Sequence, residues 1–139
     1  MADHFTHFSC FIDVGDPERA AQGYEAFIAF RNRAFETSES LSCGFDLSIL
    51  DDATGSRLWI RDSDTGDVEA VIKFILHLAD LLDLSGLWSF EYALTCSRPR
   101  LGAFGGGAHV IDLGARKSIG WTTTQDWLAA ALNGEDAHA

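Results

Sequence analysis

The chain has 139 residues, enough for one domain around one hydrophobic core, and 47% of them are hydrophobic, including ten Phe and four Trp, which excludes intrinsic disorder. Twenty-one acidic residues against ten basic ones give a net charge of −11, which argues against binding nucleic acid through phosphate contacts. No apolar run reaches the roughly 18 residues of a membrane helix; the longest, Val68 to Leu84, is interrupted by Lys73, His77, Asp80 and Asp83.

Residues His4 to Asp13, rich in Phe, Thr and Ile, read as a first strand. A helix follows: Asp16 caps, Pro17 suits the first helical position, and Ala20, Tyr24, Phe27, Ile28 and Phe35 recur at helical spacing. The polar segment ETSESLSCG is a loop. Phe45, Leu47 and Ile49 then alternate with Asp46 and Ser48, DDATG turns, and Arg57 to Arg61 returns as the partner of a hairpin, with Leu58 and Ile60 on one face.

A second helix is capped near Asp64 or Thr65 and runs to about Leu84, ended by Ser85-Gly86. Trp88, Phe90, Tyr92 and Leu94 alternate with polar or small residues in a clear strand. Ala108 to Leu113 and Ser118 to Thr122 read as two more strands across the turn GARK. Thr123 or Thr124 then caps a short helix bearing Trp127, Leu128, Ala131 and Leu132. The expectation is one α+β domain over residues 1–133 and a flexible tail over 134–139.

The order β-α-β-β-α-β matches the ferredoxin-like, split β-α-β plan: an antiparallel sheet with two helices on one face, here extended by a C-terminal β-β-α. Right-handed crossovers would place the first and third strands centrally and parallel. Both strand-to-helix corners would then lie at one end of the sheet, gathering Asp13, Asp16, Glu18, Asp62, Asp64, Asp67 and Glu69 on one acidic rim, tempered by Arg19 and Arg61. Helix capping is the plainer account of those carboxylates, and docking of a basic partner the sharper one. Residues 1–69 carry 14 acids and 5 bases, so the charge leans toward this half. Arg57, Trp59 and Arg61 would point outward from the uncovered face of the sheet, as anchors for a partner or a second copy.

Metal chemistry is not encoded in any recognisable spacing. DSDTGDVE departs from a calcium loop because Gly66 falls one place early and Lys73 occupies the twelfth position. His4, His7 and Cys10 lie on one strand, where His7 points away from the other two. No cofactor motif is present. Three cysteines without a short pairing suit reduced thiols, and no secretory signal opens the chain, so a cytoplasmic protein is expected.

The stretch TCSRPRLGAFGGGAHV concentrates Cys96, Arg98, Arg100, Gly105, Gly106, Gly107 and His109. A P-loop needs a lysine after its glycines, and a phosphatase loop needs an arginine where Gly102 stands, so both phosphate readings fail on spacing. A strand connection remains, with a small anionic ligand held by the two arginine forks and glycine amides as the minority alternative.

The run WSFEYALTCSRPRLGAFGGGAHVIDL, with the spaced LWIRD, resembles small acidic proteins of proteobacterial chromosomes, plasmids and prophages, a group with no established activity. The resemblance implies a bacterial or mobile-element origin. Such elements also encode inhibitors of host defence that cover a basic nucleic-acid groove. The leading expectation is therefore a non-catalytic interaction protein, using an acidic surface and pairing with a basic protein or with itself. The alternative is a ligand-binding protein or enzyme centred on the Cys96–Gly107 stretch.

Overall fold

The computed structural model describes residues 3–37, 44–63, 65–101 and 103–134. It is an α+β arrangement of three helices and two antiparallel sheets. In chain order the elements are β1 (His4–His7), β2 (Ser9–Asp13), α1 (Pro17–Thr37), β3 (Asp46–Ile49), β4 (Arg57–Arg61), α2 (Val68–Leu82), β5 (Leu87–Cys96), β6 (Gly105–Asp112), β7 (Lys117–Thr123) and α3 (Thr124–Leu132). One sheet has the order β1-β5-β6-β7 and the other β2-β4-β3.

The expected first strand is thus two strands, separated by the single buried residue Phe8. Asp62, just past the end of β4, holds this joint. Its Oδ1 accepts the Phe8 backbone N–H at 2.9 Å, its Oδ2 lies 2.9 Å from Nδ1 of His7, and its own N–H donates to the Phe8 carbonyl at 3.1 Å. Partial burial pushes the Asp62 carboxyl up, but the hydrogen bonds from His7 and Phe8 outweigh it and hold the group below the usual carboxylate range. Beyond the joint, β1 stays with β5 while β2 follows β4, and the Trp88 indole N–H bridges the parting sheets to the Phe11 carbonyl at 2.9 Å.

The parallel pairing of first and third strands is overturned. Ser9 lies opposite Arg61 and Asp13 opposite Arg57, an antiparallel register. Chain direction explains this: the crossover through α1 returns β3 in the sense of β2, and the hairpin then reverses β4. A strand inserted beside β2 after one reversal must run against it.

Helices α1 and α2 bury their apolar stripes against these sheets. Leu58 and Ile60 of β4 are fully buried beside Ile12, Phe27, Phe74, Ile75 and Leu78, and Phe45 completes a cluster of rings with centroids 5.2 Å from Phe27 and 5.5 Å from Phe74. Gly23 brings α1 down onto this layer, since a Cβ there would stand 2.7 Å from Cδ1 of Leu58.

The second helix begins later than its sequence suggests. Asp67 is the cap, accepting the N–H groups of Glu69 at 3.0 Å and Ala70 at 3.3 Å, because its side chain reaches back over the first turn. It also ends earlier, at Leu82, with Asp83 in the left-handed region at φ 51° and the Leu84 N–H returning to Ala79. Its last turn contains no basic residue. Two arginines from elsewhere take that role: Arg19 donates to the Leu82 carbonyl, and Arg116, from the β6–β7 turn, donates to the carbonyls of Leu84 at 2.7 Å and of Leu113.

Candidate functional site

Antiparallel pairing of β2 and β4 divides the expected acidic rim between two ends of the sheet. Asp13, Asp16 and Glu18 follow β2, at the level of Arg57, whereas Asp62 lies past Arg61, at the level of Phe8. Asp64 lies outside the described residues. The first group meets the β3–β4 turn instead: the Val14 N–H bonds the Ser56 carbonyl, and Arg57 Nε stands 3.9 Å from both Asp13 and Asp52. Asp51 and Asp52 thereby join Asp13, Asp16 and Glu18. The second group comprises Asp62, Asp67 and Glu69.

Much of this charge has a local structural partner. Asp16 accepts the Arg19 N–H and Asp13 the Gly15 N–H. Hydrogen bonds from the Thr54 hydroxyl and from the Gly55 and Thr54 amides hold the exposed Asp52 carboxyl below its ordinary range. Among the described residues, no three His, Cys, Asp or Glu side chains gather as metal ligands. His4 lies opposite Cys96, His7 meets Asp62, and Cys10 packs against the core, its thiol pushed up to about 12 by burial.

Arg57, Trp59 and Arg61 sit on the face of β4 opposite Leu58 and Ile60, half-buried rather than free. The Arg61 guanidinium lies over the Trp59 ring at 4.1 Å and that of Arg57 over Phe11 at 4.9 Å, while the Trp59 indole N–H donates to Ser9. These side chains pack on one another.

The Cys96–Gly107 stretch is a turn and a strand. Cys96 ends β5, half-buried, and Arg98 and Arg100 are exposed, with no carboxylate partner among the described residues. Gly102 lies outside those residues. Gly105, Gly106 and Gly107 are not loop but the start of β6, opposite Leu94, Ala93 and Tyr92. Their bareness is a packing requirement. A Cβ on Gly106 would stand 2.7 Å from the Tyr92 carbonyl oxygen, and one on Gly107 would stand 2.3 Å from the Tyr92 hydroxyl. The Gly106 amide is taken by the Thr124 hydroxyl at 3.1 Å. The glycine run therefore receives a tyrosine ring.

His109 belongs to a different site. Phe90, His109 and Trp121 are cross-strand neighbours on β5, β6 and β7, and their rings form a row. His109 stacks on Trp121 at 5.7 Å and 13°, and lies 6.3 Å from Phe90. A β-bulge at Ile119 sets the wall beside it: Val110 pairs with Gly120 but Ile111 with Ser118, so Ile119 has no partner. Three residues apart on a regular strand, Ser118 and Trp121 would face opposite ways; the bulge turns both toward His109. With Tyr92 and the first turn of α2 they line a cleft of about 430 Å³. The one legible trace of this in sequence is Gly120, an unfilled position inside a strand.

Ser118 Oγ and His109 Nε2 share a hydrogen bond of 2.7 Å, the spacing of a nucleophile and its base. No carboxylate bonds the other ring nitrogen among the described residues. Desolvation depresses the His109 pKa, only partly opposed by Glu69, which favours a neutral ring.

The C-terminal elements carry the other unexpected surface. Thr123 caps α3 by accepting the Asp126 N–H at 3.0 Å, yet no residue of α3 is buried. Leu128 is 51% exposed and Leu132 85%; on β7, Ile119 and Trp121 are 46% and 70% exposed. No described helix is long and apolar enough to cross a membrane. Comparison with known proteins finds no match to this chain: no family model, no curated protein and no solved structure.

Proposed function

We propose that this chain is a non-catalytic protein-interaction module that pairs with a second copy of itself through β7 and α3. The observation that carries this reading is an apolar helix with no buried residue. A nine-residue helix is too short to persist on intrinsic propensity, and packing must supply its stability. Charge favours a second copy as the occupant. In a chain of net −11, residues 117–134 carry one base, Lys117, and one acid, Asp126. Self-repulsion is smallest there. β7 is also the outermost strand of its sheet, so a two-fold mate can add antiparallel to its open edge. The face bearing Trp59 suits this less well, because its arginines already cover its rings.

Sedimentation velocity tests the reading. The native chain is expected as a dimer, and Leu128→Asp with Leu132→Asp as a folded monomer. A native chain that stays monomeric at its highest soluble concentration overturns it.

Two finer readings accompany this one. We read the two sheets as one bent sheet of ferredoxin-like plan; the support is the single residue between β1 and β2 and the resulting order β3-β4-β2/β1-β5. The gathering of Asp13, Asp16, Glu18, Asp51 and Asp52 at one end supports a basic protein as second partner. An inhibitor that covers a basic nucleic-acid groove would use this end, and its binding would weaken steeply with salt.

A further inference from the structure

The cleft beside His109 has its own chemistry, and its Ser118 and Trp121 walls stand on β7, the strand that the self-association reading also uses. Its walls are the rings of Tyr92, His109 and Trp121, the apolar side chains of Val68 and Ile72, the Ser118 hydroxyl and the Glu69 carboxylate. The Ser118 hydroxyl is engaged by His109 at 2.7 Å. One face of Trp121 is stacked on His109, and the residue as a whole is 70% exposed, which leaves ring surface open toward solvent. Glu69 supplies the one carboxylate of the lining, and it forms no ion pair with Lys73, one turn further along α2, among the described residues.

These features select against most ligands. An anion would meet a carboxylate and no base. A sugar or other neutral polar ligand needs many hydrogen-bond partners, and this lining is mostly aromatic and apolar. An alkylated ammonium ion is weakly hydrated, needs no hydrogen bonds, and is attracted both by the negative faces of aromatic rings and by a nearby carboxylate. The net charge of −11 enriches cations around the molecule. We propose that this cleft binds a small organic cation of the trimethylammonium type, held by the Trp121 and Tyr92 rings and balanced by the Glu69 carboxylate.

Choline is the probe, titrated into the native chain and followed by the indole and amide resonances of Trp121 and Gly107. Saturable binding is expected, with shifts confined to the cleft. Trp121→Ala and Glu69→Gln, both exposed positions, should each weaken it at least about fivefold while leaving the melting temperature nearly unchanged. The uncharged isostere 3,3-dimethylbutan-1-ol should bind at least about tenfold more weakly than choline, because it keeps the shape and loses the charge. The same titration on the Leu128→Asp, Leu132→Asp variant should still show saturable binding that Glu69→Gln weakens, which separates this inference from self-association. No saturable binding of choline, equal binding of the isostere, or indifference to Glu69→Gln overturns it.

Discussion

Tyr92 and Gly107 face each other across β5 and β6, and the tyrosine hydroxyl occupies the place of the side chain that Gly107 lacks: a Cβ there would stand 2.3 Å from it. This contact explains one third of the glycine run without any ligand. It also seats one wall of the aromatic cleft.

Gly107→Ala is therefore expected to force the Tyr92 ring off its seat and to cost about 1–3 kcal/mol, the usual penalty of overpacking. Gly120→Ala on β7 is the control, because a Cβ there meets nothing within 4 Å. Urea unfolding should show a lower midpoint at unchanged slope for the first variant and a small change for the second. Equal midpoints would mean that Tyr92 does not hold this position.

Arg116 is the second test. Its guanidinium serves the carbonyls of Leu84 and Leu113 and the carboxylate of Asp83 at 3.0 Å, so one half-buried side chain finishes α2 and ties it to the β6–β7 turn. Arg116→Ala leaves these carbonyls to water or to nothing, and a loss of about 1–3 kcal/mol in thermal unfolding is expected. Arg116→Lys should recover little of it, because an ammonium cannot reproduce the fork. A lysine variant as stable as the native chain would reduce the contact to simple charge.

His109 makes stability depend on pH in a stated direction. Its pKa in the folded chain lies below the value of about 6.5 expected when unfolded, chiefly through desolvation. The unfolded state then binds more protons as pH falls through that region, so the contribution is complete above about 6.5 and is lost toward the folded pKa. The titratable groups facing the ring are Glu69 from α2 and Tyr92 from β5; β7 contributes Ser118 and Trp121, which do not titrate in this range. Melting temperatures should decline between about pH 7 and 5 in the native chain, and His109→Gln should flatten part of that decline. A variant with the same slope would assign the effect to other groups.

Local signals carried the elements well. Pro17 opens α1, the alternation around Leu58 and Ile60 identifies β4 and its buried face, and Trp88, Phe90 and Tyr92 alternate along β5. The glycine run was misplaced because bare positions usually mark loops, and nothing within five residues of Gly107 announces that Tyr92 will lie over it. The acidic rim was misdrawn by one reversal of direction.

Periodicity records which way each side chain points along its own strand, and capping residues record where helices begin, because both depend on neighbours within a turn or two. For this chain, that was enough to place the three described helices and the β3–β4 hairpin. Strand direction, the joint at Phe8 and the bulge at Ile119 depend on which distant segments pair. They decided that Asp13 and Asp62 part company and that Ser118 and Trp121 meet at His109, because pairing partners are selected by packing across the whole chain and leave no periodic trace in either segment alone.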